Sequence, residues 1–227
     1  MPDIQQMVET IKREVIYTSH KIGKSALEPE VISALLEVPR HEFVPDYQKE
    51  YSYIDSPLPI GYGQTISQPY IVALMTDLLR TQSDHVVLEI GSGCGYQTAV
   101  LSRLVDRVYS VEVIRELSEQ TEKRLQRLGY DNVELKCADG YFGWPEHAPY
   151  DGIVVTAAAT HLPEPLVNQL KPGGRLVIPI GAPGMYQELM LIEKDSKGNT
   201  RVENVMGVSF VPLTGEGERD SVAADGL

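Results

Sequence analysis

Between residues 85 and about 180 the sequence alternates short apolar runs with helical stretches, and this alternation restricts the fold more than any other feature. HVVLEI (85–90), RVYSVEV (107–113), NVELKCA (132–138), YDGIVVTAA (150–158) and GGRLVIPIG (173–181) are largely apolar runs of strand length. Between them, Tyr96 to Leu104, residues 114–128 and PEPLVNQL (163–170) have helical texture, the second amphipathic and ended at Gly129. Strands buried on both faces belong to parallel sheets, and a parallel neighbour requires a long crossover, usually a helix. Repeated βαβ units with right-handed crossovers wind helices onto both faces. The expectation is an α/β, doubly wound, Rossmann-like domain over residues 81–214.

The flanks have a different texture. Residues 1–80 read as a mostly helical extension. Ile4, Met7, Val8, Ile11 and Val15 follow the i, i+3, i+4 rhythm of an amphipathic helix, and Val31, Ala34, Leu35 and Val38 that of a second, stopped by Pro39. YSYIDSPLPIGYG (51–63) carries two prolines and two glycines and reads as an ordered loop, before a helix over Ile71 to Leu79. From about 187, QELMLIEKD and TRVENVMGVSFVPL read as an antiparallel strand pair turning at DSKGN. The polar tail 215–227 has the composition of a disordered segment.

Charge narrows the partners. The 227 residues hold 20 Lys+Arg against 32 Asp+Glu, a formal net charge of −12. An acidic surface repels phosphate backbones and anionic lipid, so neither nucleic acid nor membrane is an expected partner. No apolar run approaches the roughly 18 residues of a membrane span. The N-terminus MPDIQQMVETIKREV lacks an apolar core, so no signal peptide is expected. Cys94 and Cys137 match no zinc or redox spacing and read as free thiols in a reducing cytoplasm. The five histidines form no H-x-H or H-E-x-x-H pair, so no metal is expected.

The strongest local signal is Leu88-Glu89-Ile90-Gly91-Ser92-Gly93-Cys94-Gly95-Tyr96, at the junction of the first strand and first helix. Glycines there let the backbone turn and meet a ligand without Cβ clashes, beside the free N–H groups of a helix N-terminus. The spacing is G-x-G-x-G, and Tyr96 stands where the dinucleotide fingerprint has its third glycine, which argues against NAD. Glu89 beside the loop is awkward for a pyrophosphate and suits a ligand with an ammonium and a sulfonium. Glu112 ends the second strand 21 residues after Gly91, the spacing at which a carboxylate meets ribose hydroxyls. Asp139-Gly140 follows the third strand, where an Asp can accept the exocyclic amine of adenine, though Asp-Gly alone is simply a turn.

This constellation resembles the class I S-adenosylmethionine-dependent methyltransferases. The resemblance implies that Glu89, Gly91, Ser92, Gly93, Gly95, Glu112, Asp139 and Gly140 bind S-adenosyl-L-methionine, leaving S-adenosyl-L-homocysteine as product. Thr156-Ala157-Ala158-Ala159 follows the fourth strand, where amino-group methyltransferases carry an (N/D)-P-P-(Y/F) box, so base methylation is disfavoured. Gly63-Gln64-Thr65-Ile66-Ser67-Gln68-Pro69 looks like the pre-loop motif of the bacterial protein-L-isoaspartate (D-aspartate) O-methyltransferases. VLEIGSGCGYQTAVLS, DGIVVTAAATHLPEPLVNQLKPGGRLVIPIG and GVSFVPLT extend that resemblance over about residues 5–214. It implies Ser67 as the active-site serine, Thr65, Ile66, Ser67 and Thr214 as substrate contacts, and isoaspartyl proteins and peptides as partners; a monomer is expected. Ser67 is also a residue type that caps helices, and Thr214 reads equally as a strand-end threonine. A class I methyltransferase with another target, or a domain that only binds the cofactor, are the competing readings. The free α-carboxylate of an isoaspartyl residue titrates at roughly 3.3–3.7, so it is ionised at neutral pH and the reaction needs no general base.

Overall fold

The computed structural model describes residues 2–182, 184–215 and 217. The chain opens with α1 (Ile4–Ile22), started by a capping box between Asp3 and Gln6 and closed by Gly23 at φ 70°. Its buried face is Met7, Val8, Ile11, Val15 and Thr18, while Ile4, the first residue of the stripe read from the periodicity, is only partly buried. Then come α2 (Pro29–Glu37), two short 3-10 turns at Arg40–Phe43 and Asp46–Tyr51, the strands β1 (Leu58–Gly61) and β2 (Gln64–Ile66), and α3 (Pro69–Leu78). Every residue of α3 is buried, which explains why its ten positions show no polar stripe.

The βα alternation follows as β3 (Val86–Ile90), α4 (Tyr96–Ser102), β4 (Arg107–Glu112), α5 (Arg115–Arg127), β5 (Val133–Cys137), β6 (Tyr150–Val155), α6 (Glu164–Asn168) and β7 (Leu170–Ile180). β8 (Gln187–Lys194) and β9 (Thr200–Val208) complete a seven-stranded sheet in the order β5-β4-β3-β6-β7-β8-β9. The five strands from β5 to β7 are parallel, and β8 and β9 add antiparallel. Asp195 knits the β8–β9 turn by accepting the N–H groups of Lys197 and Asn199. One apolar cluster joins Met7, Ile11, Leu35 and Leu74 to Val87, Val108 and Val154 of the sheet. A second holds Leu88, Ile90, Val111, Ile153 and Leu176. Neighbouring positions of β3 thus point to opposite clusters, as the two-residue period of a strand requires. Among the described residues no helix is long and apolar enough to cross a membrane.

Two segments differ in kind from the sequence reading. The stretch expected to be loop from 51 to 63 contains β1, paired antiparallel with β2 around Tyr62-Gly63 at φ 53° and 72°. Two positive φ values make the primed turn that matches strand twist. Pro57 and Pro59 hide the strand, because proline removes ladder donors and is tolerated only at edges. β9 ends at Val208 rather than near 213, because β8 begins at Gln187 and offers no further partner. Val211–Leu213 turns to β6's end instead: Ala158 N–H donates to Val211 O at 2.8 Å and Leu213 N–H to Ala158 O at 2.7 Å. The expectation of a disordered tail falls, apart from Gly215 and Gly217, outside the described residues.

Candidate active site

Chain connection reverses direction between β3 and β6, and in open α/β sheets ligands bind at the carboxyl ends of strands around that point. The glycine loop lies there. Gly91 adopts φ 93° and Gly95 φ 87°. A Cβ on Gly91 would stand 2.5 Å from Thr156 Oγ1, and one on Gly95 2.7 Å from Thr121 Cγ2. The loop is therefore pressed against the end of β6 at Gly91 and against α5 at Gly95, with no space for a side chain at either position. Thr156 Oγ1 donates to Gly91 O at 2.5 Å, Thr121 Oγ1 to Gly93 O at 2.7 Å and Arg124 to Cys94 O at 2.9 Å.

Beneath the loop lies a hydroxyl network. Glu89 is wholly buried; its Oε2 accepts from Thr98 at 2.5 Å and Ser110 at 2.6 Å, and Ser110 shares a 2.6 Å hydrogen bond with Ser92. Glu89 Oε1 has no hydrogen-bond partner among the described residues. Burial in this apolar setting pushes the carboxyl up to about 8, against the pull of the two hydroxyl donors. Glu89 does not line the cavity above. Glu89 thus sits beneath the loop and reaches it through Ser110 and Ser92. Ser92 lines the cavity, but its hydroxyl is turned inward to Ser110.

That cavity holds about 740 Å³, counting its open mouth, and is lined among others by Gly91, Gly93, Tyr96, Glu112, Gly140, Thr65, Ile66, Ser67 and Thr214. Glu112 is held by backbone: Gly93 N–H donates to Oε2 at 2.8 Å and Ile114 N–H to Oε1 at 2.9 Å. A carboxylate has about four acceptor sites, so two remain for a diol. Glu112 on the cavity wall thus fits a ribose, and the glycine backbone fits a ligand pressed against it. Asp139 is differently engaged. It accepts Tyr141 N–H at 3.0 Å and Gly217 N–H at 2.9 Å and is absent from the cavity lining, while the neighbouring Gly140 is part of it.

A second, larger cavity of about 1470 Å³, again with its open mouth, meets the first at Thr65, Ser67, Thr156 and Val211. Its outer walls include Tyr17 and Tyr186, both largely exposed. Ser67 is half-buried at the junction. It does not cap α3: the N-cap is Gln68, with no side-chain bond, and Asp55 accepts Tyr70 N–H and Gln68 Nε2, each at 2.8 Å. The Ser67 hydroxyl has no hydrogen-bond partner among the described residues, while its carbonyl accepts from Arg40 at 2.7 Å.

Thr156, Asp55 and Arg40 are the residues that sequence reasoning missed. Thr156 had been read only for the motif it lacks, although its place at the fourth strand end was a usable signal. Asp55 and Arg40 carry no local signal, since each acts on a segment at least 13 residues away.

The sequence profile of the protein-L-isoaspartate(D-aspartate) O-methyltransferase family matches residues 9–218. A Nitrosococcus oceani protein named protein-L-isoaspartate O-methyltransferase 2 is 58% identical over 96% of this chain and 99% of its own. One of the same name from Syntrophobacter fumaroxidans is 58% identical over 92% and 85%. Among solved structures, a protein-L-isoaspartate O-methyltransferase aligns at TM-score 0.77 and 34% identity, over 90% of this chain and 66% of that one. A Plasmodium falciparum β-aspartate methyltransferase in complex with S-adenosyl-L-homocysteine aligns at TM-score 0.77 and 26% identity, over 94% and 99%.

Proposed function

We infer what the site does from one premise: this chain belongs to the protein-L-isoaspartate(D-aspartate) O-methyltransferase family. It transfers a methyl group from S-adenosyl-L-methionine to the free α-carboxylate of L-isoaspartyl residues in damaged proteins and peptides, which starts their repair. The observation that carries this reading is the meeting of the two cavities at Thr65 and Ser67: one is walled by the glycine loop and Glu112, the other opens to the surface with room for a peptide.

Glu112 would take the ribose hydroxyls of S-adenosylmethionine, and the backbone at Gly91 and Gly93 would meet it closely. Gly140 lines the same cavity, and a Cβ there would stand 2.4 Å from Ile90 Cγ2, so the wall at that point accepts only glycine. When bound, S-adenosylmethionine supplies a methyl carbon already activated by its sulfonium. The protein's task is then to hold a carboxylate oxygen in line with that carbon at roughly 3 Å, and positioning of this kind is worth about 7–11 kcal/mol. Ser67, with a free hydroxyl at the junction, donates to the carboxylate oxygen that does not attack. Thr65 and Thr214 border the same space. In the ester product, the following backbone amide nitrogen attacks the ester carbonyl, loses its proton and expels methanol, closing a succinimide that water reopens.

Label from methyl-labelled S-adenosylmethionine should pass to an isoaspartyl peptide at least about a hundredfold faster than to its aspartyl twin. The two place the reacting carboxylate differently relative to the chain, and a displacement of about 1 Å costs roughly 10²-fold when catalysis rests on positioning. Equal labelling of both peptides, or label passing to RNA instead, overturns the reading.

A further inference from the structure

We propose that Arg40 is a positioning residue for methyl transfer, a buried cation that fixes the Thr65–Ser67 segment at the junction of the two cavities. This rests on the activity inferred above and assigns a task to a residue that lines neither cavity.

Arg40 has no exposed surface, and among the described residues no carboxylate lies within salt-bridge distance of it; Asp55 acts on it only through space. Its Nε donates to Ser52 O at 2.8 Å and its Nη2 to Ser67 O at 2.7 Å. Its guanidinium carbon lies 4.7 Å from the centre of the Tyr96 ring, and Tyr96 lines the cofactor cavity. Its Nη1 and the Tyr96 hydroxyl have no hydrogen-bond partner among the described residues. A buried ion without a counter-charge in contact carries a desolvation penalty of several kcal/mol. A fold that needed only to fill this volume would use an apolar side chain. Arginine here provides a rigid planar fork that ties the carbonyls of Ser52, Ser56 and Ser67 together and stacks on an aromatic face, a combination no other side chain offers.

The links converge on the reaction. Through Ser67 O, Arg40 sets the substrate side; through the Tyr96 ring it is tied to the cofactor side. Asp55 pins the same segment from beyond Ser67, at Gln68 and Tyr70. Because the cation grips Ser67 by its carbonyl, the hydroxyl stays free at the junction. The peptide group also stands between the charge and an entering carboxylate. The nucleophile loses its negative charge during transfer, so a direct ion pair would favour the ground state over the transition state. A cation behind the wall positions the donor without forming that pair.

The test compares Arg40→Gln and Arg40→Lys with Leu35→Ala, a core truncation that lines neither cavity. Turnover on an isoaspartyl peptide, S-adenosylmethionine affinity by calorimetry, melting, and amide hydrogen exchange over residues 64–70 are measured for each. Both Arg40 variants should lose about 10- to 100-fold in kcat, keep the cofactor Kd within about threefold and exchange faster over 64–70. Leu35→Ala should melt lower yet keep kcat and the exchange of that segment. Rescue by Lys to within threefold of wild type, a kcat loss matched by Leu35→Ala, or failure of both Arg40 variants to fold overturns the proposal. If the wild type methylates neither peptide while exchange still responds to Arg40 alone, the functional reading fails and only the hold of Arg40 on the 64–70 segment stands.

Discussion

Ser67 separates two duties that one residue often combines. Its carbonyl is held by Arg40 and the adjoining helix start by Asp55, so its hydroxyl contributes nothing to the start of α3. Removing a capping serine typically costs about 1 kcal/mol. Ser67→Ala should therefore melt with wild-type stability while turnover on an isoaspartyl peptide falls about tenfold or more, cofactor affinity staying unchanged. A mutant that melts lower and turns over normally below its transition would return Ser67 to the role of a cap. Parallel melting and steady-state assays decide it.

At the scale of elements, the glycine loop and β6 are fitted to one another. The contact that forbids a Cβ on Gly91 is Thr156 Oγ1, the same atom that bonds Gly91 O. Gly91→Ala should cost more in wild type than in a Thr156→Ala background, with a coupling of about 0.5–3 kcal/mol by denaturant titration, because the deletion removes the clash and leaves only the strain at φ 93°. Additive losses would show that backbone strain dominates. The strands β3 to β8 were legible because each is a local apolar run whose burial needs no information from elsewhere. The β1–β2 hairpin was not, because only Ile60 and Ile66 are buried in it and prolines mask its edge. The cofactor loop and Glu112 were legible from spacing along strand ends. The buried position of Glu89, the engagement of Asp139 by Gly217 and the grip of Arg40 on Ser67 depend on segments that meet only after the chain has closed.

On the scale of the whole molecule, Glu89 ties the central strand to pH. Its ordinary value is 4.5 and burial raises it to about 8 in the folded protein. Between those values the folded state keeps a proton that the unfolded state has released. Stability from this group is therefore complete below about 4.5, falls as pH rises through the window and levels above about 8, with a slope of at most about 1.4 kcal/mol per pH unit. Glu89→Gln should flatten that component. Denaturant titrations of both proteins from about pH 5 to 8 should diverge with pH, and parallel curves would place the folded-state titration elsewhere.

The bridge between Ala158 and Val211–Leu213 has a consequence in time. Val211, Pro212, Leu213 and Thr214 form a wall of the cofactor cavity, yet they follow every strand of the sheet in chain order. A polypeptide emerging from the ribosome acquires its glycine loop and all five parallel strands before that wall exists. Newly made and broken copies that stop short of Val211 carry an incomplete pocket. A chain ending before Val211 should therefore bind S-adenosylmethionine more weakly than the full chain by calorimetry, and equal affinity would show that this wall is dispensable.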